Sequence, residues 1–108
     1  MSWKIIYCES FRGERYVREF IDKQNAVIKA KYIGLLNLIC EHGPLLGGKY
    51  TKKLTKNLYE LRITGKDQIR ILYSAESDRI YLLHAFKKKK QKTPLKEVKT
   101  ALNRLDRI

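Results

Sequence analysis

Two arginines and a run of lysines carry the chemistry that this sequence could perform. Arg62 lies in the apolar run Leu58-Tyr59-Glu60-Leu61-Arg62-Ile63, and Arg70 lies in the next one, Ile69-Arg70-Ile71-Leu72-Tyr73. If both runs are strands of a hairpin that closes with Ile63 opposite Ile69, antiparallel pairing sets Arg62 directly opposite Arg70 on one side of the sheet. Like charges in that position are unfavourable unless an anion or water lies between them. A phosphate suits the arrangement, because each guanidinium can offer it two parallel N–H donors.

A third apolar run, Ile80 to Phe86, extends the pattern. Counting by twos along it puts Tyr81, Leu83 and Ala85 on one face and continues to Lys87 and Lys89. Pairing Tyr73 with Ile80 sets Arg70 opposite Leu83, so the lysines are expected to rim the arginine patch and Tyr81 to face it. A plainer reading of the same residues stands beside this one. Glu60, two residues from Arg62, could neutralise it, and lysines at a strand end commonly serve only to keep an edge solvated. His84 falls on the opposite parity from Arg70 and is expected to pack at the helix-covered face of the sheet.

These residues need a scaffold, and the order of apolar patterns predicts one. Trp3-Lys4-Ile5-Ile6-Tyr7 reads as a first strand, and the pattern turns helical from Glu14 to about Ile21. Ile28, Tyr32, Leu35, Leu36 and Ile39 then form the stripe of a stronger helix, with Asn25 as N-cap and Gly43-Pro44 as its stop. Leu45 to Asn57 shows two glycines, four lysines and little periodicity, and is expected to be a basic loop. The three runs above follow as an antiparallel meander. Thr93-Pro94 opens a last helix as N-cap and N1, with Leu95, Val98, Leu102 and Leu105 inward and Lys96, Lys99, Asn103 and Arg107 outward. The expected fold is α+β, in the order β-α-α-β-β-β-α, as one domain over residues 1–108.

Composition bounds the partners. The 108 residues hold 24 Lys+Arg against 11 Asp+Glu, a net charge of +13, and 44% of them are apolar, enough for an ordinary core. Residues 1–47 carry +2 and residues 48–108 carry +11, so an acidic partner should meet the second half. Nucleic acid is the first candidate, since each neutralised phosphate releases a counterion. No apolar run approaches the length of a membrane span, and the N-terminal residues lack the apolar core of a signal peptide. The expectation is a soluble, cytoplasmic protein with no membrane partner. Cys8 and Cys40 are expected to be two buried thiols rather than a disulfide. With no CxxC and no metal-ligand spacing at His42 and His84, no metal or other cofactor is expected.

Taken together, Leu58-Tyr59-Glu60-Leu61-Arg62, Arg70-Ile71-Leu72-Tyr73, Leu82-Leu83-His84-Ala85-Phe86-Lys87-Lys88-Lys89 and Gln91-Lys92-Thr93-Pro94 resemble the RelE/HigB toxin superfamily, in particular its phage-derived branch. The resemblance runs from about Trp3 to the end, and the blocks are specific as a set. It implies the toxin of a type II toxin-antitoxin module: a ribosome-dependent mRNA endoribonuclease that inhibits translation. A helix-turn-helix antitoxin would hold it inactive, and DNA would be met only through that complex.

The implied cleavage uses no metal. A ribose 2'-hydroxyl attacks the adjacent phosphate, which requires a base, charge stabilisation and an acid for the leaving 5'-oxygen. Arg62 and Arg70 match the family's phosphate-clamping arginines. Lys87 and Lys88 match its basic cluster, and one of them, its pKa lowered by surrounding positive charge, would transfer the proton. Lys52, Lys53, Lys89 and Lys90 would hold phosphates of message and ribosomal RNA. The chain departs from several branches in having no tyrosine or histidine after Phe86, which leaves the general base open between Tyr81, His84 and none. Two other functions stay in view: a ParE-like gyrase inhibitor and a non-catalytic RNA-binding module.

Overall fold

The computed structural model describes residues 2–89 and 91–108. Its elements are β1 (Lys4–Tyr7), α1 (Tyr16–Asp22), α2 (Ala26–His42), β2 (Thr51–Thr55), β3 (Leu58–Ile63), β4 (Ile69–Glu76), β5 (Arg79–Lys87) and α3 (Leu95–Leu105). The five strands form one sheet in the order β1-β5-β4-β3-β2, antiparallel except for β1, which runs parallel to β5. Helices cover both faces. Val17 and Ile21 of α1 and Ile28, Tyr32, Leu35 and Ile39 of α2 pack on Leu61, Ile63, Ile71, Tyr73 and Leu82. On the other face, Ala101 of α3 packs with Leu58, Leu72, Tyr81, Leu83 and Phe86.

The local signals explain most of these elements. Asn25 caps α2 by accepting from the Ile28 N–H at 2.9 Å. The helix ends at Gly43, whose φ of 100° disfavours any other residue and where a Cβ would crowd the Trp3 ring at 3.3 Å. Cys8 and Cys40 are free thiols, Cys40 donating to the Trp3 carbonyl.

Three expectations need correction. The segment expected as a basic loop contains β2, an edge strand pairing Lys52 with Glu60 and Lys53 with Tyr59. Two lysines in five residues hide the strand from periodicity while suiting an edge that must repel other chains. At the last helix Pro94, not Thr93, occupies the N-cap, and the Thr93 hydroxyl is spent on Glu60. Leu95 is 67% exposed instead of inward, and the residue fully enclosed against the sheet is Ala101. The small side chain at 101 lets α3 approach closely.

The third correction concerns β5. Arg70 pairs with Phe86 and Leu72 with His84, but Tyr73 pairs with Leu82, so Leu83 is an extra residue, a β-bulge. The bulge breaks the alternation: Leu83 packs against the α3 side, and so does the next residue, His84, while Ala85 joins the opposite core. His84 does lie beneath a helix, as expected, but on the arginine face rather than the other.

The bulge also anchors α3. Arg104 donates to the Leu83 carbonyl at 3.0 Å and to His84 Nδ1 at 3.1 Å, and its guanidinium lies 3.5 Å from the centre of the Tyr16 ring. A guanidinium has no acceptor, so Nδ1 must be the unprotonated ring nitrogen and Nε2 the one that donates to Glu97 at 2.8 Å. Burial and Arg104 together hold the imidazole pKa below its usual value, against the pull of Glu97. The neutral ring is therefore the folded form. A pKa lower folded than unfolded means stability that is present above about pH 6.5 and lost as pH falls through the folded value. Urea unfolding midpoints are expected to decline from pH 7.5 towards pH 5.5, and His84→Gln should flatten that decline; equal slopes in the two proteins would show that His84 carries no such linkage.

Candidate functional site

The antiparallel register places Arg62 opposite Arg70, with Ile63 opposite Ile69, as the sequence predicts. Between the two arginines lies a carboxylate of the chain itself. Glu60, on the same face of β3 as Arg62, accepts from Arg62 Nε at 3.1 Å through Oε1, and the same oxygen is 3.8 Å from Arg70 Nε. Its other oxygen accepts from the Thr93 hydroxyl. Glu60 is 1% exposed and Arg70 7%. The neutralising role weighed for Glu60 is thus real, but as a buried anchor rather than a surface pairing.

The surroundings decide what this cluster can do. Lys52 stands beside Glu60 across the β2–β3 ladder. Lys88 follows the end of β5, its N–H bonded to the Gln68 carbonyl at 2.7 Å. Its ammonium pKa is lowered, first by burial, then by the charges of Arg70, Arg62 and Lys52, with Glu60 opposing. Arg70 donates through its terminal nitrogens to the Ile69 carbonyl and to Gln68 Oε1, while its buried Nε has no hydrogen-bond partner. Burial is the main cause lowering the Arg70 pKa, and Glu60 counters it. Arg70, Lys88, Lys89, Gln68 and Gln91 line an open depression at this end of the sheet. A single carboxylate among four nearby cations leaves the cluster positive, so the depression is suited to an anion with several oxygens.

The placement of the other expected residues differs. Lys87 pairs with Ile69, points to the opposite face and binds Asp67 at 3.0 Å. The bulge at Leu83 is the cause: one extra residue exchanges Lys87 for Lys88 on the arginine face. Lys89 lines the depression. Lys53 pairs with Tyr59 and so lies on the face opposite Lys52 and Glu60. Tyr81 shares the face of Arg70 but packs with Cys8 and Leu83, five residues from Phe86, the partner of Arg70. At about 3.3 Å per residue that separation is roughly 16 Å, too far to touch a group bound at Arg70. His84, with both ring nitrogens engaged by α3, does not open into the depression. Lys90 lies outside the described residues.

Sequence reasoning missed Thr93, Gln68 and Gln91. Leu58, Glu60 and Arg62 share one strand parity, so the position of Glu60 beside Arg62 was readable. That it is enclosed depends on Thr93, 33 residues away. Among the described residues no group of three or more His, Cys, Asp or Glu side chains could hold a metal ion. No helix among the described residues is long and apolar enough to cross a membrane.

The burial of Glu60 sets a measurable expectation. Removing one member of a buried ion pair leaves the other uncompensated, at about 3–5 kcal/mol. Glu60→Ala is expected to lose that much unfolding free energy and Glu60→Gln distinctly less, because the amide oxygen still accepts. Urea denaturation measures both, and a loss below about 1 kcal/mol in the alanine variant would place the cluster with solvent-screened pairs.

Residues 19–106 match the family described as Phage derived protein Gp49-like (DUF891), and the chain belongs to that family. No curated protein matches the chain in sequence.

Proposed function

We propose that this Gp49-like chain is the toxin of a toxin-antitoxin module, and that it arrests translation by cutting mRNA on the ribosome. The observation that carries the reading is the register that sets Arg62 beside Arg70, with Lys88 sharing a depression with Arg70, in a chain with the blocks that resemble RelE/HigB toxins. In the proposed reaction the ribose 2'-oxygen attacks the adjacent phosphorus and the bond from phosphorus to the 5'-oxygen breaks. The products are a 2',3'-cyclic phosphate and a 5'-hydroxyl. A proton leaves the 2'-hydroxyl, and one must reach the departing oxygen.

Each residue has a role that its surroundings support. The phosphate sits in the depression lined by Arg70, and the more exposed Arg62, opposite Arg70 in the β3–β4 register, reaches it from the neighbouring strand to meet the charge that grows on its oxygens in the transition state. Glu60 holds the two guanidiniums in place before substrate arrives, so little reorganisation is left for the reaction. Lys88, with its lowered pKa, is the proton-transfer group. Lys52 and Lys89 hold neighbouring phosphates without reading bases. Lys87 is left out of the clamp, because Asp67 holds it on the other face. The net charge of +13 supports a partner antitoxin with acidic character.

The test is induction of the chain in cells, with mRNA ends mapped by primer extension. Arg62→Ala, at a position 26% exposed by side chain, is expected to keep the fold by circular dichroism and to lower cleavage by about 10²–10³-fold. Lys88→Arg keeps the charge but removes a group able to give up a proton, and should lower kcat by about 10²-fold with KM nearly unchanged. Intact mRNA with accumulating DNA breaks would point instead to gyrase inhibition. Wild-type cleavage by Arg62→Ala would overturn the assignment of the clamp.

A further inference from the structure

On the opposite side of the sheet from the arginine depression, a groove runs between α2 and the start of β2. Its floor is Leu35 and Ile63, its walls are Leu38 and Tyr50, and Gly34 opens it on the helix side. Leu38 and Tyr50 remain 39% and 42% exposed. Lys31 and Lys49 supply the charge, Arg62 borders the groove from β3 with its guanidinium held by Glu60 on the other face, and among the described residues no acidic side chain lines the groove. Lys31 closes one end by donating to the Thr64 carbonyl at 2.6 Å, and its ammonium has two further donors.

Gly34 makes this groove more than a gap in packing. Glycine in the middle of a helix is unfavourable, and usually a neighbour within the fold requires it. Here a Cβ at position 34 would meet nothing within 4 Å. The space over position 34 is therefore open, and a side chain seated from outside can approach the helix backbone there. Val27, seven residues before Gly34 and therefore on the same face of α2, extends the apolar surface along the helix and is 63% exposed.

We propose that this groove is a protein-docking site for an acidic segment of another chain. The segment would set an aliphatic or aromatic side chain over Gly34, between Leu38 and Tyr50, and carboxylates against Lys31 and Lys49. A second copy fits poorly, because each copy brings +13 to the contact. Single-stranded RNA fits less well than an acidic segment: the floor is aliphatic, and the Tyr50 ring has Lys49 Nζ 5.5 Å from its centre. The proposal does not depend on cleavage by the arginine face.

A short synthetic peptide of Glu, Asp and Leu, with the leucines at helical spacing, serves as the probe against the full-length chain labelled with nitrogen-15. Saturable binding with amide shifts at Gly34, Leu38, Tyr50 and Ile63 is expected. Gly34→Leu should fill the groove and weaken binding about tenfold or more. The same substitution improves helix propensity in open space, so its melting temperature should not fall, which separates lost binding from lost folding. Lys31→Glu with Lys49→Glu should also weaken the acidic peptide and favour its lysine counterpart. Equal affinity for wild type and Gly34→Leu would overturn the proposal, as would peptide shifts confined to Arg70, Lys88 and Gln91. Displacement of the peptide by a uridine oligonucleotide that shifts the groove residues would assign the groove to RNA instead.

Discussion

A carboxylate that is 1% exposed needs cations and hydrogen bonds in place of its water, and around Glu60 those replacements come from three separate segments. Arg62 comes from its own strand, Arg70 from β4, and Thr93 from the turn that leads into α3. The position of α3 over the sheet, the direction of the lysine run and the orientation of both guanidiniums therefore share one buried group. Without Glu60 the two arginines would face each other unshielded across β3 and β4, the arrangement that a sheet disfavours. With it, one negative charge serves two positive ones and the remainder is left for something outside the chain.

This compromise differs from that of an ordinary buried salt bridge. A fully matched pair would leave little field to attract a ligand, and two bare arginines would raise the cost of folding. The Nε of Arg70 is the visible residue of the compromise: enclosed, 3.8 Å from the carboxylate and without a hydrogen bond. Such an unmet donor in a polar, positively charged depression is stability left unclaimed in the free protein, and an anion can supply what is missing. The lowered pKa of Lys88 has the same origin, because its partly buried ammonium stands beside charges of like sign that Glu60 only partly offsets.

The first hairpin was legible in the sequence, because two apolar runs bounded by isoleucines and separated by five polar residues leave few registers that bury both sets of apolar residues. That register alone brings Arg62 to Arg70. The second hairpin was not, since Leu83-His84 looks like ordinary alternation, and nothing local marks Leu83 as the bulged residue. What decides it is tertiary: Arg104 of α3 takes up the Leu83 carbonyl and His84 Nδ1 together. One inserted residue then reversed every face beyond it, so Lys88 and not Lys87 reached the arginines. β2 escaped notice for a different reason. An edge strand draws its stability from backbone pairing with β3 and needs little apolar patterning of its own.

The excess positive charge is uniform in sign but not in setting, and the setting determines what it can recognise. On the α3 side the cations surround an enclosed carboxylate and an unpaired donor, with polar Gln68 and Gln91 at the rim. Little apolar surface is offered there, so a ligand must be held by charge and hydrogen bonds, as a phosphate would be. On the α2 side Lys31 and Lys49 stand at the margin of Leu35, Leu38, Tyr50 and Ile63. Charge there can steer an acidic partner and set its register, but the energy that holds it must come from apolar contact. Because β3 contributes to both surfaces, with Glu60 and Arg62 facing α3 and Ile63 facing α2, they share a strand while requiring opposite chemistry from what they bind. A polyanion held by charge at the first surface finds little to match its chemistry in the apolar floor of the second, so the two faces select for different ligands.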